Sequence, residues 1–193
     1  MAAPEGSRPL RADARRNREA VLRAAIAVLR TDPGASMDTI AEAAGVARRT
    51  AFRSFAGRDE LVRAAHLTTL TAARAVLEAA APPGEAARLE AVVAAALSIG
   101  EDYGLLVTIS PTTSDPDLRT ELDAITRVLE SAVAAARERG EVRRDLPVDW
   151  LALVLLQVIA TVLETGPVTD PAARLDLVLT TYLHGVGGGP AGG

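Results

Sequence analysis

Apolar residues in this chain recur three and four positions apart, stretch after stretch, and nowhere alternate. Leu22, Ala25, Ile26 and Leu29 form one such set, and Met37, Ile40, Ala41 and Ala44 form a second. Leu118, Leu122, Ile125, Leu129, Ala132 and Ala136 form a long third. This spacing gathers side chains on one face of a helix, whereas a half-buried strand needs a period of two. The expected fold class is therefore all-α. Composition agrees: 49% hydrophobic residues can supply a core, and 3% aromatics are too few for an aromatic-rich β-sandwich or a base-stacking platform.

Breakers divide the pattern into elements. A first helix is expected from about Asp13 and is stopped by Asp32-Pro33-Gly34. Ser36 is a good N-cap for a short second helix, with Asp38 favourable in its first turn and Gly45 at its end. A third short helix spans about 48–54, and a fourth begins after Gly57 with Leu61, Val62 and Ala65. Helices over 67–80 and 85–100 follow, separated by Pro82-Pro83-Gly84, then one short turn at 104–109. Ser114-Asp115-Pro116-Asp117 starts the long amphipathic helix that Gly140 closes. Pro147 opens a helix to Glu164, and Asp170-Pro171 opens the last. Residues 1–12 read as a flexible arm and 186–193 as a glycine-rich disordered tail.

Several function classes are excluded at this level. Without cysteine there is no disulfide framework, thiolate nucleophile or zinc finger. With only His66 and His184, far apart in sequence, neither a metal site nor a histidine-based catalytic pair is expected. The carboxylate pairs Glu101-Asp102 and Asp115/Asp117 are explained by helix ends, and the glycines lie in turns and tail, so no enzyme and no cofactor are expected. The N-terminus lacks an apolar signal segment. The longest apolar run, Trp150–Leu163, is 14 residues, short of the roughly 20 that span a bilayer. A cytoplasmic protein with no membrane partner is the expectation.

Net charge is −4, yet it is unevenly placed. Residues 1–63 carry 12 Arg against 8 Asp/Glu, and residues 64–193 carry 9 Arg against 17. A basic front and an acidic back suggest two modules with different partners. The basic front contains SMDTIAEAAGVARRTAFRSF, residues 36–55. Two short helices joined by a tight glycine turn make a helix-turn-helix. Ile40, Ala41, Ala44 and Val46 dock them, and the second helix opens with Arg48-Arg49-Thr50. Arginine suits guanine through its bidentate fork and phosphate through its charge.

Residues 15 to about 63 resemble the DNA-binding domain of TetR-family (tetracycline-repressor-like) transcriptional regulators. The resemblance is carried by RRNREAVLRAAIAVL, TIAEAAGV, RRTAFRSF and GRDELV in that order. It implies a three-helix helix-turn-helix domain over 13–63 and a helical ligand-binding and dimerisation domain over 64–185. It further implies a homodimer on double-stranded operator DNA, and a repressor that a small-molecule effector releases. The DNA-facing set it implies is Ser36, Thr39, Ala47, Arg48, Arg49, Thr50, Phe52, Arg53, Ser54 and Arg58. This chain departs from the family pattern at Phe52, a place usually held by tyrosine, at Ser54, often histidine, and at Ala47, often serine. The recognition helix therefore lacks its customary side-chain cap, and Arg53 and Arg58 are the expected backbone contacts in compensation.

The acidic half says less. The helix from Pro147 is apolar nearly all round, which one small core cannot absorb, so a four-helix bundle between two chains is expected. Its residues would be Trp150, Leu151, Val154, Leu155, Leu156, Val158, Ile159 and Val162, with Leu175, Val178, Leu179 and Tyr182 from the last helix. Polar residues among apolar ones are candidates for the effector pocket: His66, Thr69, Asp102, Tyr103, Thr108 and Gln157. Few aromatics and no central cationic cluster favour a moderately apolar, neutral effector. The competing reading is a helical small-molecule-binding module that never touches DNA; the basic segment 45–58 argues against it.

Overall fold

A computed structural model describes residues 7–82, 88–104, 114–166 and 168–186. Among them are eight helices and no strand: α1 (Ser7–Leu29), α2 (Met37–Ala43), α3 (Arg48–Ser54), α4 (Arg58–Ala80), α5 (Leu89–Tyr103), α6 (Pro116–Glu138), α7 (Val148–Thr165) and α8 (Pro171–Val186). The all-α expectation holds. The chain folds into two compact units, Met1–Thr69 and Leu70–Gly193, with the division inside α4.

In the first unit α1, α2 and α3 pack on one another. Val21, Ala25 and Leu29 of α1, Met37, Ile40 and Ala41 of α2, and Ala51, Phe55, Leu61 and Ala65 form its buried set. The α1–α2 turn is closed by Asp32, whose side chain accepts from the Gly34 N–H at 3.0 Å. Ser36 caps α2, its hydroxyl accepting from the Thr39 N–H at 3.1 Å. At the other end Gly45 takes φ +66°, where a Cβ would be strained. The turn is fastened by Val46 N–H to Ala41 O (3.0 Å) and Gly45 N–H to Glu42 O (2.9 Å), which sets the direction of α3.

The second unit is built around α5 and α7, which pack on each other and on both α6 and α8. Leu97, Ile99, Leu129, Val133, Leu151, Leu155, Ile159 and Val178 lie in its core. Tyr182 is buried there, and its hydroxyl donates to the Leu151 carbonyl at 3.1 Å. Asp115 caps α6 by accepting from the N–H groups of Asp117 (3.0 Å) and Leu118 (3.2 Å), as its place before Pro116 predicts. Half-buried Arg74 ties α4 to α6 through Glu121 at 2.8 Å.

Three boundaries differ from the sequence reading. α1 begins at Ser7, inside the expected arm, because proline in a first turn lacks only an N–H that has no helical partner there. The segments read as two helices either side of residue 66 are one, α4, since no Gly or Pro interrupts them and Leu61, Ala65, Ala73 and Leu77 share one register. The unit boundary falls at 69/70 rather than at the expected 63/64. α7 lies one residue later at each end than the expected 147–164; by length and composition alone it could cross a bilayer, and here Leu151, Ala152, Leu155, Ile159 and Val162 are buried in the unit's core. Residues 105–109 of the expected turn and 187–193 of the expected tail lie outside the described residues, and Val186, expected in the tail, ends α8.

Candidate nucleic-acid interface

α3 buries one side and offers the other. Ala51 is buried, and Thr50 and Ser54 are half-buried beside it, the Ser54 hydroxyl donating to the Thr50 carbonyl at 2.9 Å. Arg48, Arg49, Phe52 and Arg53 are all exposed. At 100° per residue these four fall within one arc, so three guanidinium groups and an aromatic ring share a single face. A helix of this diameter fits the major groove, and arginines on its outer face can reach base edges and phosphates. Arg49 and Arg53 have no intramolecular partner among the described residues. Arg48 has two: its Nη1 lies 2.8 Å from Asp38 Oδ2, and its Cζ stands 5.4 Å from the centre of the Phe52 ring. Ala47 begins α3 without a side-chain cap.

The seating of α3 depends on residues that the sequence reading passed over. Arg18 of α1 donates to the Ser54 carbonyl at the end of α3, lies 3.9 Å from the centre of the Phe55 ring, and pairs with Glu60 at 3.3 Å. A cation at a helix C-terminus meets the negative end of its dipole. Glu60 in turn accepts from the Ala56 N–H at 2.6 Å. That backbone hydrogen bond, aided by Arg18, holds the Glu60 carboxyl below its ordinary pKa. Arg18 lies 36 positions from Ser54 and 42 from Glu60, so no local pattern announces the link.

Other expected members of the DNA-facing set have structural tasks. Arg58 is half-buried, its Nε donating to the Ala35 carbonyl at 3.0 Å and its Nη2 to the Pro33 carbonyl. It fastens the α1–α2 turn to the start of α4 through its Nε and Nη2. Ser36 is occupied as the α2 cap, with its Oγ also 2.9 Å from the Thr39 Oγ1. Thr39 itself is exposed.

The residues expected in the effector pocket are scattered. His66, half-buried, and Thr69, fully buried, lie on α4 in the first unit, and the Thr69 hydroxyl oxygen has no hydrogen-bond partner. In the second unit Asp102 is exposed and Tyr103 half-buried at the end of α5, Gln157 is exposed on α7, and Thr108 lies outside the described residues. Two open clefts lie on the second unit. One of about 580 Å³ is lined by Arg88, Leu89, Arg139, Glu141, Leu179 and Leu183, and one of about 500 Å³ by Ala134, Arg137, Glu138, Arg144 and Val148. Neither includes an expected pocket residue.

The expected pairing face also needs correction. Leu151, Leu155, Ile159, Val162, Val178 and Tyr182 are buried inside their own chain, so they have no surface to give a partner. Val154, Val158, Leu175 and Leu179 are half-buried. The exposed large apolar residues of α7 are Trp150 (55% exposed), Leu153 (53%) and Leu156 (43%), and of these Leu153 lies outside the expected set.

A helix-turn-helix with a basic, solvent-facing second helix, followed by a separate helical unit, defines a DNA-binding transcriptional regulator of helix-turn-helix type. The family comparisons make this specific. Residues 21–65 match the model of the bacterial regulatory proteins of the tetR family. The chain is 30% identical over 177 residues to the HTH-type transcriptional repressor LfrR of Mycolicibacterium smegmatis, a match that covers 89% of this chain and 90% of that protein. The crystal structure of LfrR in complex with proflavine superposes with a TM-score of 0.70 at 28% identity, covering 90% of this chain and 98% of that one. A tetR-family regulatory protein from Rhodococcus RHA1 shares the fold, with a TM-score of 0.71 at 18% identity and coverage of 90% and 98%. The chain belongs to the TetR family of transcriptional regulators.

Proposed function

We propose that this protein is a repressor that holds double-stranded operator DNA through the exposed face of α3 and is released by a small-molecule effector bound in its second unit. The observation that carries the first half is the single face made by Arg48, Arg49, Phe52 and Arg53. Arg48 and Arg49, in the first turn, read base edges; Arg53, one turn on, contacts the backbone. Thr39 and the uncapped start of α3 at Ala47 add backbone contacts. LfrR, the repressor 30% identical over most of the chain, supports repression as the outcome of binding, and its proflavine complex supports a flat aromatic effector. The protein works as a homodimer in the cytoplasm, paired through the outer face of α7 around Trp150, Leu153 and Leu156, flanked by Val154 and Val158 and by Leu175 and Leu179 of α8. Two-fold pairing matches two half-sites.

The test is fluorescence anisotropy with a duplex selected by the protein from a random library, titrated at moderate salt with and without proflavine. Tight, sequence-dependent binding that proflavine weakens is the expected result. Folded protein that selects no sequence ends the reading, and binding that proflavine leaves intact ends the choice of effector class.

A further inference from the structure

We infer that Asp38 sets how sharply this protein distinguishes its operator from other DNA, by gripping one edge of the Arg48 guanidinium. The inference rests on α3 being the recognition helix. The Asp38–Arg48 pair joins the first turn of α2 to the first residue of α3 at 2.8 Å. Both side chains are more than half exposed, at 52% and 69%. An exposed ion pair contributes little to holding two helices together, so its main consequence falls on what Arg48 does instead.

A guanidinium carries five N–H donors in a fixed plane. Asp38 takes the Nη1 corner. The fork formed by Nε and Nη2 remains available, and two parallel donors are what guanine's O6 and N7 accept. The Phe52 ring, 5.4 Å from Cζ, limits the other motions of the group. Arg48 is thus presented with a usable fork and a neutralised charge. On the operator the fork finds its base. On any other sequence the fork has nothing to pair with, and the carboxylate opposes a swing toward the nearest phosphate. Arg49 and Arg53 have no such partner among the described residues and attract any duplex. α3 therefore carries two kinds of arginine: two that hold DNA of any sequence, and one whose general attraction is masked.

The test uses the full chain with the selected operator duplex and a shuffled duplex of equal composition, by anisotropy between 50 and 200 mM salt. Asp38→Asn should tighten the shuffled duplex about threefold per subunit at the lower salt and steepen log K against log[salt] by about 0.9, one phosphate contact's worth. Operator affinity should hold within about twofold, so the preference for operator falls. Asp38→Glu, which keeps the carboxylate, should behave as wild type. An equal change on both duplexes, or an unchanged slope, overturns the inference. The double variant Asp38→Asn/Arg48→Ala separates routes: effects carried by Arg48 vanish relative to Arg48→Ala alone, while effects of a loosened α2 persist and would overturn the assignment even if the single variant is poorly folded. If Arg48→Ala removes operator preference but Asp38→Asn matches wild type, α3 recognition stands and the masking role fails. If Arg48→Ala leaves preference intact, the recognition reading fails and the inference with it.

Discussion

Gly100 is buried where α5 meets α7, and a methyl group in its place would fall inside the Leu163 side chain. Gly100→Ala is expected to lower stability by about 1–3 kcal/mol through overpacking. Adding Leu163→Ala should recover part of that loss by making room, as read from urea midpoints; a double variant worse than either single one would show that the two sites are not in conflict. Tyr182 carries a pH signature of its own. Burial pushes its hydroxyl up to about 12, from an ordinary value near 10. The folded state thus favours the neutral phenol. That preference is fully present below pH 10 and is lost as pH rises towards 12, amounting to about 3 kcal/mol at most. Tyr182→Phe should flatten this alkaline limb in chemical denaturation at pH 8 to 11, at a cost of about 1 kcal/mol at neutral pH for the lost hydrogen bond to Leu151. A limb as steep in the variant would place the titration elsewhere.

At the scale of elements, the α2 cap and the α3 arginines give separable expectations. Ser36→Ala removes the acceptor for the Thr39 N–H and should cost about 1 kcal/mol of thermal stability. Arg53→Ala should weaken operator and shuffled DNA alike and reduce the salt slope by about one per subunit, whereas Arg48→Ala should relax base preference at one position in each half-site. Exchange of those two phenotypes would mean that α3 is rotated in the groove. Helix ends were legible in the sequence wherever proline, glycine or a capping side chain marks them, as at Asp115-Pro116 and Gly45. α4 is one helix where two are expected, although its residues contain no breaker. The contacts that Arg58 and Asp38 make could not be read, because each joins residues ten or more positions away through a turn whose geometry is not periodic. The face of α7 failed for a different reason. When nearly every position is apolar, period alone cannot say which side is inward, and so it does not separate buried Leu155 from exposed Leu153.

For the whole molecule, the proposed pairing separates two neighbouring leucines. Leu153→Glu puts a charge on the outer face of α7 and should yield a folded monomer with an unchanged helical spectrum. Leu155→Arg puts a charge into the core and should unfold the second unit, by several kcal/mol. Sedimentation and circular dichroism on both variants decide the matter. A Leu153→Glu protein that still dimerises removes α7's outer face from the assembly.

Trp150 is the chain's one tryptophan, and it stands 55% exposed at the start of α7. The protein therefore contains an intrinsic optical probe at a single site. An indole in water emits further to the red than one covered by apolar groups, so the emission maximum reports whether that spot is wet. Diluting the protein through the range where it dissociates should shift the maximum to longer wavelength, and Leu153→Glu should begin at the red end. The first unit contributes no tryptophan to obscure the signal.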